Sequence, residues 1–260
     1  MNAPESAGMK DKVVLVTGGS RGIGAAIARR FAREGAHLVL NHRDGKGRSA
    51  RMAEELCREA EAAGVRAVAI PADISKKDAV KAMFAQAEEE FGRLDALILN
   101  AARAPFKPWE KLLERDLKLL VETNFLGNVF CMQGALPLLS REGGAVVFIS
   151  SLGSRFYHPE YPLGPMKAAM EAAVRHWAES FEERGVSVNA VCAGLVKTDS
   201  FKTLRMIQPE LEELPERYFV TPEEVAESVC FLAGAGAASI RGQTLVVDRG
   251  LSNRLNRPPG

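Results

Sequence analysis

The sequence predicts an α/β fold in which helices cover both faces of a doubly wound parallel sheet. Three observations predict it. Short apolar runs alternate with helix-like segments from one end of the chain to the other. The apolar runs are nearly continuous, as strands buried on both faces require. A glycine turn joins the first run to the first helix in Val13-Val14-Leu15-Val16-Thr17-Gly18-Gly19-Ser20-Arg21-Gly22-Ile23-Gly24. With 260 residues, 47% of them hydrophobic, the chain suits one large domain.

The elements follow in order. Val13–Val16 reads as a buried strand, and Ala25 to Phe31 continues the helix that the glycine turn opens. His37–Leu40 is a strand, and Arg48 to Ala63 a charged amphipathic helix. Val65–Ile70 is a strand, Asp78–Phe91 a helix and Ala96–Leu99 a strand. A long helical region runs from Trp109 to Leu139, followed by a strand at Ala145–Ile149. Pro162, Gly164 and Pro165 place the start of the next helix near Lys167, and it runs to Arg184. Val186–Val191 is a strand, Thr221-Pro222 opens a capped helix, and Leu245–Val247 is the last strand. Residues 1–10 and 253–260 read as flexible extensions flanking a single domain at 11–252. The stretch 197–218 carries Phe201, Leu204, Met206, Ile207, Leu211 and Leu214 among charges, the pattern of an amphipathic lid.

Charge and cysteine usage narrow the classes. The net charge is +1 and no basic stripe stands out, which argues against nucleic acid or an anionic membrane as partner. No apolar run is long enough to span a bilayer. Cys57, Cys131, Cys192 and Cys230 are far apart, with neither metal-ligand spacing nor a disulfide framework, so no metal site is expected and a cytoplasmic location is.

In a doubly wound sheet, ligands sit outside the carboxyl ends of the strands. After the first strand, the glycine turn aims backbone N–H groups and a positive helix end at one point, a seat for a pyrophosphate. Gly18 permits the turn, Gly22 lets backbone approach phosphate, and Gly24 lets helix and strand pack closely. After the third strand stands Asp73, an acceptor for an adenine amino group or a turn cap. The later strands are followed by Asn100-Ala101-Ala102, by Ser150-Ser151 and by Cys192-Ala193-Gly194 through Thr198-Asp199.

Together these residues resemble the short-chain dehydrogenase/reductase family. The resemblance rests on TGGSRGIG at 17–24, Asp73, Asn100-Ala101-Ala102, Asn124, Ser150-Ser151, Lys167, VNAV at 188–191 and Thr198, and it covers nearly the whole chain. It implies a Rossmann-like fold, a nicotinamide cofactor and hydride transfer. The implied cofactor contacts are Gly18, Ser20, Arg21, Gly22, Ile23, Gly24, Arg43, Asp73, Ile74, Asn100, Ala101, Lys167 and Thr198. It also implies homodimers or homotetramers that pair the long helices and the last strand. Members that prefer NAD carry an acid at the end of the second strand; here that place reads Leu40-Asn41-His42-Arg43. Arg21 and Arg43 suit the 2′-phosphate of NADPH.

Most of the family uses Tyr-x-x-x-Lys, but Leu163 stands four positions before Lys167. Tyr161 stands six before it, on the preceding loop, with Tyr157 in reserve. This displacement resembles the enoyl-acyl-carrier-protein reductases, which show Tyr-x6-Lys against Tyr-x5-Lys here. Ser150-Ser151-Leu152-Gly153-Ser154, Asn100-Ala101-Ala102, Ala193-Gly194 and Arg241-Gly242-Gln243-Thr244 look like the type III members of that group. The resemblance implies an NADPH-dependent reductase of 2-enoyl thioesters, carried by acyl carrier protein or coenzyme A. Tyr161 would stabilise the developing negative charge, and Lys167 would hold the ribose and lower the pKa of the phenol. Ser151 and Asn124 complete the set, although counting does not separate Ser151 from Ser150. Arg103 and Lys107 are candidates to attract a phosphopantetheine arm. Two rival readings stay open: a ketoreductase of the same family, and a nucleotide-binding protein without turnover, which Leu163 motivates.

Overall fold

The computed structural model describes residues 8–139, 141, 143–207 and 213–255. The chain alternates as β1 (Val13–Val16), α1 (Gly22–Arg33), β2 (His37–His42), α2 (Arg48–Ala62), β3 (Ala67–Pro71), α3 (Lys77–Phe91) and β4 (Ala96–Leu99). It continues through α4 (Glu114–Val121), α5 (Gly127–Leu139), β5 (Gly144–Ser151), α6 (Gly164–Ser180), β6 (Val186–Ala193) and β7 (Leu195–Val196). It ends with α7 (Asp199–Ile207), β8 (Phe219–Val220), α8 (Pro222–Ala233), β9 (Thr244–Val247) and the short α9 (Ser252–Leu255).

Seven strands form one parallel sheet in the order β3-β2-β1-β4-β5-β6-β9. Successive strand side chains point to opposite faces, and both faces are buried. Val14 and Val16 join a core with Ile27 and Phe31 of α1 and Val225 and Val229 of α8. Val13 and Leu15 join the opposite core with Phe84 of α3, Met132 of α5 and Met170 and Val174 of α6. That double burial is why the strands read as unbroken apolar runs. β1 passes to β2 on one side while β4 pairs on the other, so a crevice opens beyond the ends of β1 and β4.

Local signals explain most boundaries. Thr221 Oγ1 accepts from the Glu224 N–H at 3.2 Å and Glu224 Oε2 accepts from the Thr221 N–H at 2.8 Å, a reciprocal cap on α8. Two expectations are corrected. α6 begins at Gly164, not near Lys167, because Pro165 falls in the first turn, where an N–H has no helical acceptor to lose. The helical region expected from Trp109 starts as a short 3₁₀ turn, Trp109–Lys111, and α4 and α5 are joined through a π-helical turn at Glu122–Leu126 that contains Asn124. Such turns recur at functional sites.

The expected lid region holds α7 and a small parallel pair, β7 with β8. Phe201 is buried and meets Phe219 edge-on at 5.4 Å, while Met206 is 82% exposed. Leu211 lies outside the described residues, and Leu204 and Leu214 are half-buried. Ser252–Leu255 forms a helical turn whose Arg254 lies 5.2 Å over the Tyr218 ring. No helix among the described residues is long and apolar enough to cross a membrane.

Candidate active site

The glycine turn is held by three polar side chains. Thr17 Oγ1 donates to the Ile98 carbonyl at 3.1 Å and accepts from the N–H groups of Asn100 and Ala101 at 2.9 and 3.1 Å. Asn100 Nδ2 donates to the carbonyls of Thr17 and Gly18, both at 3.0 Å. Buried Asn41 accepts from the Gly18 N–H at 3.2 Å and donates to the Ala72 carbonyl at 3.0 Å. Gly18 has φ +62°. A Cβ on Gly24 would overlap the Gly18 carbonyl oxygen and stand 2.6 Å from Asn100 Nδ2. The first turn of α1 has no acidic residue and no side-chain cap, which leaves its N–H groups for an anion. Ser20 is buried beside it and Ile23 half-buried. A pyrophosphate fits this cradle.

Cations rim the cradle, in an arrangement the sequence reading only partly reached. Arg21 Nη1 and Arg48 Nη2 stand 3.8 and 3.6 Å from the same oxygen of Asp199, so two guanidinium groups converge on one anionic point. Arg43 instead forks onto its neighbour Asp44 at 2.9 and 3.0 Å, and that hydrogen bonding raises its pKa and lowers that of the carboxylate. Arg21 was expected to share its anion with Arg43; in the structure it shares Asp199 with Arg48. A signal for Arg48 was present: it opens α2, whose first turn lacks any acid, and a cation there opposes the helix dipole unless an anion joins it. Asp73 caps its turn through Oδ1, which accepts from Ser75 N and Oγ at 3.0 and 2.7 Å, and Ile74 is buried. Thr198 lies across from the glycine turn, its methyl 3.5 Å from where a Gly22 Cβ would sit.

At the other end of the crevice, β5 separates its two serines. Ser150 points inward, and its Oγ donates to Glu171 Oε1 at 2.5 Å. Ser151 points to the crevice and meets Tyr161 Oη at 3.3 Å. The two neighbouring serines thus have different partners, Glu171 for one and Tyr161 for the other. Tyr161 stands on the loop before α6, its N–H donating to the His158 carbonyl at 3.3 Å and its ring 5.9 Å from those of Phe106 and His158. Tyr157, the reserve candidate, is 87% exposed. Leu163, in the place of the usual phenol, is 4% exposed.

Lys167 is buried; its Nζ donates to the Ile149 carbonyl at 2.6 Å and lies 4.7 Å over the Phe148 ring. Burial lowers its pKa to about 8. The expected lowering of the phenol by Lys167 is corrected: burial pushes the Tyr161 pKa up, opposed by the Ser151 hydrogen bond. The ammonium is turned to the β5 carbonyl, so the phenol stays a hydrogen-bond donor at neutral pH.

Asn124 clamps the chain after β4, accepting from Arg103 N at 2.9 Å and donating to the Arg103 carbonyl at 2.7 Å. Its own carbonyl accepts from buried Asn128 Nδ2 at 2.7 Å. Of the two candidate cations after β4, Lys107 pairs with Asp116 at 2.8 Å, and Arg103 acts electrostatically on Asp44 at the cradle's rim. No cluster of three or more metal-ligating side chains occurs among the described residues. Glu171 and Arg48 escaped the sequence reading because their partners are distant in the chain, whereas Asn128 reaches only one helical turn back, to the Asn124 carbonyl.

Comparisons with known proteins agree with this architecture. A family model described as enoyl-(acyl carrier protein) reductase matches residues 18–252. The 1-cyclohexenylcarbonyl-CoA reductase of Streptomyces collinus is 38% identical over 97% of this chain and 91% of its own. The 3-oxoacyl-(acyl-carrier-protein) reductase of Staphylococcus epidermidis is 31% identical over 93% of this chain and 99% of its own. The structure of L-sorbose reductase from Gluconobacter frateurii, complexed with NADPH and L-sorbose, superposes with TM-score 0.87 at 26% identity, covering 97% of this chain and 100% of that one. The chain belongs to the short-chain dehydrogenase/reductase family and is an oxidoreductase.

Proposed function

We propose that this protein is an NADPH-dependent reductase of 2-enoyl thioesters. The observation that carries the reading is the phenol of Tyr161, brought in from the loop to Ser151 while buried Leu163 fills the usual helix position. The name of the Streptomyces collinus relative, which denotes an α,β-unsaturated cyclic thioester, supports it.

When bound, NADPH supplies the hydride. Gly18, Ser20, Gly22, Ile23, Gly24, Asn100, Ala101 and Thr198 would hold its pyrophosphate and adjoining groups, with Asp73 and Ile74 at the adenine. Lys167 would hold the nicotinamide ribose. At the substrate, a new C–H bond forms at the β-carbon and the π electrons shift toward the thioester oxygen. The Tyr161 O–H donates to that oxygen and stabilises its charge in a low-dielectric site. Ser151 orients the phenol, and a proton taken from solvent water at the α-carbon completes the saturated acyl thioester and leaves hydroxide to the buffer. A raised phenol pKa serves this role, because a donor must keep its proton. Asn124 holds the chain after β4 against the site.

The test is to follow NADPH absorbance with crotonyl-CoA and acetoacetyl-CoA. Oxidation by the crotonyl thioester is expected, and turnover of only the acetoacetyl thioester would overturn the reading in favour of a ketoreductase. The 31% identical oxoacyl reductase favours that second reading.

The preference for NADPH rests on Arg21 and Arg48. The Asp199 carboxylate between them marks where a 2′-phosphate would bind by exchange. Losing one guanidinium–phosphate contact costs about 1.5–3 kcal/mol. Arg48→Ala should therefore raise KM for NADPH by about 10- to 100-fold and leave KM for NADH nearly unchanged. Equal changes for both coenzymes would refute the assignment.

We further propose a cytoplasmic location, where the four free buried thiols stay reduced. Homodimers or homotetramers would cover the exposed apolar ridge of Leu113, Leu117 and Val121, spaced one turn apart. A monomeric mass in sedimentation equilibrium would exclude this.

A further inference from the structure

We propose that Glu171 is a positioning residue of the active site, one that sets the Tyr161 phenol through the Ser154 turn and favours the charged form of Lys167. The inference rests on the reading of Tyr161 and Lys167 given above.

Glu171 is 7% exposed, on α6, one turn beyond Lys167 and on the same face. A buried carboxylate is unfavourable unless its oxygens are fully engaged, and an apolar residue would pack α6 against β5 without that penalty. Its partners give it another role. Oε1 accepts from both Ser150 Oγ at 2.5 Å and Ser154 Oγ at 2.6 Å, and Oε2 lies 3.4 Å from Arg155 Nη2. Each hydroxyl has a single proton, so both serines are fixed in rotamer as donors.

The geometric consequence runs along the chain. Ser150 held inward leaves Ser151, its neighbour on the strand, facing the crevice and Tyr161. Ser154 held on α6 fixes the turn Leu152–Ser154, and Gly153 in that turn is the surface on which the phenol ring lies. A Cβ on Gly153 would stand 2.6 Å from Tyr161 Cδ1.

The electrostatic consequence falls on Lys167. The groups that face it are Glu171 from its own helix, Cys192 from β6, and the Phe148 ring and Ile149 carbonyl from β5. Burial pushes the Cys192 thiol up to about 12 and raises the phenol, so both are neutral at physiological pH. Arg155 stands beyond Glu171, and Asp248 beyond Cys192. The carboxylate of Glu171 is thus the nearby charge that favours the ammonium. Removing it lowers the pKa of Lys167, so the ammonium is lost at a lower pH.

The experiment compares Glu171→Gln with the parent enzyme by NADPH fluorescence titration and by kcat, each from pH 6 to 10. The amide keeps the size and an acceptor oxygen but removes the charge. The expected result is a kcat at least tenfold lower, NADPH affinity at pH 6.5 within threefold of the parent, and the alkaline loss of NADPH binding displaced roughly one pH unit downward. A variant that only melts earlier, with kcat and the alkaline limb unmoved, overturns the proposal. Should that variant not fold, Ser154→Ala, which keeps the charge, is expected to lower kcat without moving the limb; an unchanged kcat overturns the proposal. The titration needs no acyl substrate, so failure of the enoyl assignment leaves this result readable. Full activity of a Tyr161→Phe enzyme defeats the functional reading without touching the limb.

Discussion

Tyr161→Phe should reduce kcat with crotonyl-CoA by about 10²–10³-fold, the loss that follows removal of a single donor to a developing oxyanion, roughly 2.7–4 kcal/mol. The ring would stay where it is, because its packing against Gly153, Phe106 and His158 does not use the hydroxyl. Affinity for NADPH should change little, since the lost group faces Ser151 and the substrate side. KM for the thioester should also change little, because charge on its oxygen builds up only in the transition state. Stopped-flow absorbance under single turnover separates the chemical step from release of product. Tyr157→Phe is the matched control: with 87% of its surface in solvent, that residue should be replaceable without effect. If the two variants behaved alike, the catalyst would lie elsewhere.

How far the sequence revealed this site depended on how local each feature is. The glycine turn was legible because strand, turn and helix are consecutive, with Gly18 favoured by its positive φ and Gly24 by the Gly18 carbonyl of the same turn. The strands were legible because both sheet faces are buried, so apolar runs mark them directly. The start of α6 was missed by three residues, from Lys167 to Gly164, since proline breaks a helix interior but not a first turn. The π turn at Glu122–Leu126 left no mark, because the extra residue is accommodated by packing rather than by any residue type. Arg48 and Glu171 are ordinary helix residues until folding brings them to Asp199 and to Ser150 and Ser154. The choice between Ser150 and Ser151 is likewise a matter of strand face. Counting toward Lys167 does not show it, whereas the pleat turns Ser150 to Glu171 and Ser151 to Tyr161.

Gly164→Ala should cut activity at least tenfold and lower Tm by several degrees, although helix propensity alone predicts the opposite. Alanine is favoured over glycine within a helix by about 0.8–1.0 kcal/mol. At this position a Cβ would overlap the Gly153 carbonyl oxygen and stand 3.5 Å from Gly153 Cα. Backbone cannot swing aside as a side chain can, and forced overpacking costs typically about 1–3 kcal/mol. Relief requires the turn Leu152–Ser154 to separate from α6. That movement draws Gly153 away from the ring of Tyr161 and loosens Ser154 from Glu171. The loss should therefore appear mainly in kcat, while NADPH binding at the distant glycine turn stays within about threefold. Gly236→Ala serves as control, since a Cβ there meets the Phe231 ring only at 3.6 Å. A Gly164→Ala enzyme that is more stable and fully active would show that the close approach of these two glycines does not hold the phenol in place.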